Sequence, residues 1–260
     1  MTPDVSVIGA GNLAWHLAPA LDNAGYAVRE VYGRTLNHTR RLVERLYDAQ
    51  PVDTLDFSSS KSKIFLICVS DDAIEQVARE IVLPEDALLV HTSGSKSRAL
   101  LDYAAATRTG VFYPLQTFSK SRKLDFENIP VFVEGNSADA ENILMKMGRA
   151  ISRQVYRLDE QQRLALHVAA VFASNFANHL FRLAYEIMET HRLKPEWLNA
   201  LIAETVNKAF EIGPENAQTG PARRGDLETL DLHMEFLKKH PELADIYRVL
   251  TQDILNRAHE

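Results

Sequence analysis

The spacing of apolar residues changes character once along this chain, near Asp159. Before that point, short runs rich in β-branched residues alternate with longer stretches of helical periodicity. Residues 5–8 (Val-Ser-Val-Ile) read as a buried strand. A helix over 12–24 follows, with Gly25 as its C-cap, then a strand over 28–32 and a helix over 39–47. Residues 64–69 form a third apolar strand, and Asp71 or Asp72 opens a helix through Ile81. Strands over 87–91, 110–113 and 130–134, a helix over 97–106 and one from a Ser137 cap through Ala150 complete this half. Strands alternating with helices predict βαβ units and a mostly parallel sheet, apolar on both faces because helices cover both.

Beyond Asp159 the sequence gives caps and helical periodicity but no convincing strand. One long helix is predicted over 163–191. It is apolar nearly all round between 164 and 181, so it is expected to lie buried at the centre of the protein. A second helix starts at Pro195 and runs to about Glu211, and 213–225 is a loop rich in Gly and Pro. Asp226 caps a helix through His240, and Pro241 starts the last one. The predicted fold class is α/β: an N-terminal Rossmann dinucleotide-binding domain over 1–158, and an all-α substrate and dimerisation domain over 159–260.

Composition narrows the function. A length of 260 residues accommodates two domains, and 46% hydrophobic with 25% charged residues is ordinary for a globular chain. A net charge of −6 leaves no basic footprint, so nucleic acid is not expected as a partner. The basic runs at 61–63 and 120–123 read as solvated loop faces. The single cysteine, Cys68, lies in an apolar run, which excludes an intramolecular disulfide or a thiolate-rich metal site. No metal site is expected. The N-terminus lacks a charged region followed by an apolar one, and no uncharged apolar stretch approaches the roughly 20 residues of a bilayer span. A cytoplasmic location without membrane contact is therefore expected.

The chemistry begins where the first strand ends. Gly9-Ala10-Gly11-Asn12-Leu13-Ala14 fits G-x-G-x-x-A, directly after a strand and opening a helix. Gly9 allows a tight turn, and Gly11 lets a pyrophosphate approach the backbone. Ala14 lets helix and strand pack closely. The helix N-terminus offers free N–H groups and partial positive charge to phosphate. Gly9, Gly11, Asn12 and Leu13 are thus expected to hold a dinucleotide. The second strand ends in Gly33-Arg34-Thr35 with no carboxylate at its tip, Glu30 lying before it. A carboxylate there would favour NAD, whereas Arg34 can pair with a 2′-phosphate and Thr35 adds a hydroxyl, so NADP is the expected cofactor. Further cofactor contacts are expected at two later strand ends. One offers Val69, Ser70 and Asp72, with helix capping as the alternative role of Asp72. The other offers His91 and Thr92.

Ser93 and Gly94, in the turn after His91, fall where a nicotinamide ring or substrate would lie. On a helical wheel centred on His167, Ser174 falls at about −20°, Asn178 at about +20° and Asn175 at about +80°. Polar groups sharing one face of an apolar helix either bond backbone or line a wet cleft. The expected roles are His167 as proton donor or relay, Asn175 and Ser93 orienting a carbonyl or imine, and Gly94 and Asn178 as substrate contacts. Arg223 and Arg224, in a Gly- and Pro-bounded loop before a helix, suit an anionic group. The aromatic stretch Tyr113-Pro114-Leu115-Gln116-Thr117-Phe118 reads equally as a site wall or as an interface filler.

Together, Gly9 to Ala14, Arg34-Thr35, His91 to Gly94, Tyr113 to Phe118, His167 to Phe176 and Thr219 to Asp226 resemble a Rossmann-like family with a C-terminal helical domain of unknown function. That family is related to pyrroline-5-carboxylate reductase, deazaflavin-dependent NADP reductases and β-hydroxyacid dehydrogenases. The resemblance spans nearly the whole chain. It implies an N-terminal NADP domain, a helical C-terminal domain and a homodimer built through those helices, but it supplies no substrate. β-Hydroxyacid dehydrogenases use a lysine on the interdomain helix with an asparagine four residues on. Here the helix carries His167 and Asn175, with no lysine before Lys194, so that mechanism does not transfer. The expected function is hydride transfer between NADP(H) and a small, anionic carbonyl or imine compound. A non-catalytic NADP-binding redox sensor, or a flavin or deazaflavin partner in the same groove, stays open at this level.

Overall fold

The computed structural model describes residues 2–258. Its sheet has eight strands in the order β3-β2-β1-β4-β5-β6-β7-β8. The strands are β1 (Val5–Ile8), β2 (Val28–Tyr32), β3 (Gln50–Val52), β4 (Ile64–Ile67), β5 (Leu88–His91), β6 (Arg108–Pro114), β7 (Val131–Gly135) and β8 (Val155–Arg157). All pairings are parallel except β6 with β7. The short edge strands β3 and β8 were not predicted. Each has three residues, too few to show a period, and each is fixed by its pairing with β2 or β7.

The apolar content of the strands follows from the alternation of side chains across a pleat. Val5 and Val7 of β1, with Ile64 and Leu66 of β4, enter one core with helices α1 (Asn12–Asn23) and α4 (Ala138–Ile151). Ile8, Phe65 and Ile67 point the other way, into a core with α3 (Ile74–Glu80). Helix α2 (Leu36–Val43) ends sooner than predicted. The segment predicted as a helix over 97–106 forms a 3-10 turn at Arg98–Tyr103. From β1 the chain winds outward to β3, then returns to place β4 on the other side of β1. That reversal opens a crevice at the carboxyl ends of β1 and β4.

After β8 the chain is helical: α5 (Glu160–Ala170), a π segment (Val171–Phe176), α6 (Ala177–Thr190), α7 (Asn199–Ile212), the single turns α8 (Pro214–Ala217) and α9 (Pro221–Arg224), α10 (Leu227–Leu237) and α11 (Pro241–Ala258). The change of character at Asp159 matches the start of α5, where Asp159 and Gln162 form a capping box. The compact units divide later, into Met1–Asn175 and Phe176–Glu260. Helix α5 belongs to the first unit because its Arg163 is sunk into that unit's interior, 1% exposed.

The expectation of a buried central helix is corrected. Along Glu160–Thr190 none of the most apolar window is buried, with Leu164 46% and Val168 48% exposed. The expectation that no stretch could span a bilayer is also revised, since this helix is long and apolar enough by length and composition. Its first turns are tied to the first unit through Arg163, a role that a lipid-embedded segment would not have. In the second unit the buried apolar side chains among the described residues are Ala222, Leu230, Leu237 and Ala244.

Candidate functional site

The crevice beside β1 is a cleft of about 470 Å³. Gly9, Ala10, Gly11 and Asn12 line it from the first turn, and Gly33, Arg34 and Thr35 from the second strand end; Val69 and Ser70 close it after β4. Gly9 has φ +121°, and a Cβ there would collide with the Cys68 carbonyl, so only glycine fits. At Gly11 the space is open, a Cβ meeting only the Cys68 carbonyl oxygen at 3.9 Å. Helix α1 has no side-chain cap and no acidic residue in its first turn, so its N–H groups remain for an anion. Glu30 does not reach the tip: it accepts hydrogen bonds from the hydroxyls of Ser6, Ser60 and Ser62 beneath the sheet end. The tip therefore presents Arg34, Thr35 and His38. These residues fit a dinucleotide with a 2′-phosphate.

Four expected cofactor contacts lie elsewhere. Leu13 packs against the hydrophobic core. Asp72 points to solvent, 99% exposed and 4.0 Å from Lys96 Nζ, and it caps no helix. His91 is fully buried at the end of β5, and the Thr92 hydroxyl donates to the Ile67 carbonyl at 3.1 Å. Parallel-strand ends turn inward as readily as outward, which residue type alone does not reveal. Cys68 is also buried, and burial pushes its thiol up to about 12, so it is no nucleophile at neutral pH.

The turn after His91 forms a second cluster. The Ser93 hydroxyl accepts from the N–H groups of Ser95 and Lys96, each at 3.1 Å, so it shapes the turn and keeps only its own proton to offer. The Ser95 hydroxyl donates to Asp71 at 2.8 Å. His91 Nδ1 accepts from the Ser93 N–H at 3.2 Å, while its Nε2 finds no partner at hydrogen-bond geometry. Burial pushes this imidazole down to about 4; the nearby Arg163 charge adds to the push and the Ser97 backbone opposes it. His91 is thus a neutral brace of the turn.

Arg163 grips the same turn from α5. Its Nη1 donates to the carbonyls of Ser93, Gly94 and Lys96 at 3.2, 3.0 and 2.9 Å. Its Nη2 pairs with Glu134 on β7 at 3.1 Å. One helical turn on, His167 Nδ1 lies 3.1 Å from the Tyr113 hydroxyl, and the two rings meet edge to face. Gly94 packs against both rings: a Cβ there would sit 2.6 Å from His167 Nδ1 and from Tyr113 Cζ. Burial raises the Tyr113 phenol above its ordinary value, with the Asp71 charge adding to the rise, so it stays protonated and able to donate. The structure thus brings together His167 and Gly94, two residues that the sequence singled out separately.

It also adds Tyr113, Arg163, Glu134 and Asp71, which sequence reasoning missed or left undecided. The available signal was Arg163 itself, a guanidinium four residues before His167 on an otherwise apolar helix. Lys120, read as part of a solvated run, also reaches the cleft, where its Nζ donates to the Ala10 carbonyl at 2.8 Å.

The remaining expected residues are more dispersed. Asn175 is exposed within the π segment. A π turn inserts about one extra residue, so the wheel drawn at a constant angle loses phase after Val171. Asn178 lines a different groove, with Phe181, Tyr185 and Asn199 of the second unit. Arg224 lies 3.8 Å from Asp226, whose side chain caps α10 through the Thr229 N–H. That carboxylate already answers the positive helix end, so the loop is a weaker anion site than its sequence implied. Arg223 is exposed in α9.

Residues 4–94 match the family model described as NADP oxidoreductase, coenzyme F420-dependent. Residues 129–254 match a domain of unknown function, DUF2520. Among solved structures, the chain is 36% identical to a putative NADP oxidoreductase from Bacteroides fragilis, over 98% of both chains with a TM-score of 0.89. Protein TM1727 from Thermotoga maritima is 23% identical over 98% of both chains, TM-score 0.73. A reductive aminase from Aspergillus terreus, solved with NADPH and ethyl levulinate, is 15% identical over 99% of this chain and 95% of its own, TM-score 0.71, a likeness of fold. No curated protein matches. An open phosphate turn, an arginine where NAD binders carry a carboxylate, and a near full-length relative at 36% identity lead to one statement. The chain belongs to the family of NADP-dependent oxidoreductases that join an N-terminal domain of the coenzyme F420-dependent type to a C-terminal DUF2520 domain.

Proposed function

We propose that this oxidoreductase reduces a small carbonyl or imine compound, with the His167–Tyr113 pair as its proton source. The observation that carries the reading is the 3.1 Å contact between His167 Nδ1 and the Tyr113 hydroxyl, packed on the turn that leaves β5. Strands β4 and β5 are adjacent, so this turn stands next to the strand end that closes the cofactor cleft. Bound NADPH supplies a hydride. The Tyr113 hydroxyl pairs with Nδ1 and so leaves Nε2 of His167 to the substrate. His167 in its doubly protonated form then delivers the Nε2 proton to the substrate oxygen or nitrogen as hydride arrives at carbon, and the neutral imidazole left behind takes a proton back from solvent. Arg163 and Ser93 hold the turn in register with the histidine.

The test is a screen of NADPH oxidation against small oxo acids and cyclic imines, with wild-type and His167→Ala protein. A substrate turned over equally by both would end the assignment to His167. NADPH binding without turnover of any compound would favour a sensor instead.

A second copy of this chain is the proposed cover for exposed apolar side chains of the helices, among them Leu164, Val168, Leu201 and Phe210. Sedimentation equilibrium of the full chain checks this, and a monomer at micromolar concentration would refute it.

A further inference from the structure

We infer that Lys120 is a pyrophosphate clamp, a cofactor-binding cation contributed by the loop after β6 rather than by the dinucleotide fingerprint. Its Nζ lies 2.8 Å from the carbonyl oxygen of Ala10, the residue between the two fingerprint glycines. It lines the same cleft as Gly9, Gly11, Asn12 and Arg34. The lysine is held over the cleft from the side, its ammonium 5.2 Å from the centre of the Trp15 ring on α1. Arg45 stacks on that indole at 4.3 Å.

Charge and chemistry favour this role. Helix α1 brings no side-chain cap and no acid to its first turn, and at Gly11 the backbone is bare. A dianionic pyrophosphate there meets N–H groups and the positive end of a helix, but no cation from the fingerprint itself. Lys120 supplies one. Its present acceptor is a neutral carbonyl, and a phosphate oxygen within reach of the same ammonium is the stronger partner, because it adds charge–charge attraction to the hydrogen bond. The 2′-phosphate end is separately served by Arg34, Thr35 and His38 at the β2 tip. Lys120 therefore acts on what NADPH and NADH have in common. This inference rests on the dinucleotide site and not on the proposed substrate chemistry.

Calorimetric titration of the full chain with NADPH and with NADH tests it, using wild-type, Lys120→Ala and Arg122→Ala proteins. Arg122 belongs to the same loop but lines only the neighbouring groove, so its removal controls for a general loss of positive charge. Lys120→Ala is expected to weaken both nucleotides by about tenfold, the scale of one charge-assisted contact. Arg122→Ala is expected to change neither by more than about twofold. Because Lys120 is exposed, its removal leaves the core intact, and an unchanged melting temperature verifies that. Equal affinity in wild-type and Lys120→Ala proteins would overturn the clamp. So would a loss confined to NADPH, which would move Lys120 to the 2′-phosphate, or an equal loss in Arg122→Ala. A wild-type chain that binds neither nucleotide would remove the clamp by removing the cofactor site itself.

Discussion

The Tyr113 hydroxyl and His167 Nδ1 lie 3.1 Å apart, joined across 54 positions of sequence by a turn whose glycine leaves room for both rings. Loss of the imidazole is expected to lower kcat on an accepted substrate by roughly a hundredfold or more, the usual scale for a general acid. Tyr113→Phe is expected to cost less, about tenfold, because it removes the orienting bond and leaves the donor. Neither variant should change NADPH affinity, so steady-state kinetics beside calorimetry separates the two effects.

Arg34 sits at the β2 tip with Thr35 and His38, while Glu30 is locked away by three serine hydroxyls. Arg34→Ala is expected to weaken NADPH by about tenfold or more and to leave NADH nearly unchanged. Comparing dissociation constants for the two nucleotides checks this. An equal loss for both would assign Arg34 to adenine stacking.

Arg163 is 1% exposed and satisfies three carbonyls and Glu134 at once. Arg163→Met leaves a carboxylate and a turn without their partner, and it should destabilise the protein by about 3–5 kcal/mol. Glu134→Gln keeps a hydrogen-bond acceptor and should cost less than half as much. Urea unfolding monitored by circular dichroism reads both. A loss below about 1 kcal/mol in Arg163→Met would mean that the turn holds without it.

His91 has a folded-state pKa of about 4, below its ordinary value near 6.5. Between those values the unfolded chain takes up a proton that the folded chain refuses. Stability is therefore full above about pH 6.5 and falls as the pH drops toward 4, by about 3 kcal/mol for this group at most. His91→Gln should flatten the fall across that window. Unfolding free energies at several pH values decide it, and an unchanged slope would place the acid sensitivity elsewhere.

Much of the first unit was legible because its signals are local. Gly9 needs a positive φ, β1 and β4 are apolar on both faces, and the change of character near Asp159 falls where α5 begins, so residues near in sequence carry these features. The sequence also pointed to His167, an imidazole on an apolar helix, and to Arg34 at a strand end without a carboxylate. It misread what depends on distant partners. Asp72 and His91 are both polar residues near strand ends, yet one faces solvent and the other is sealed in the core. The wheel that grouped His167 with Asn178 assumed a regular helix, and the π segment broke that regularity.

By itself, the sequence determined the six longer strands and most of the helices between and after them, the open phosphate turn and the preference for NADP, because backbone sterics and hydrophobic periodicity act over a few residues. Only the tertiary structure decided which charges meet. Arg163 reaches Ser93 across 70 positions, Tyr113 reaches His167 across 54, and Lys120 reaches Ala10 across 110. Such pairs are selected by packing, since each is stable only where the surrounding sheet and helices remove water and hold both partners still.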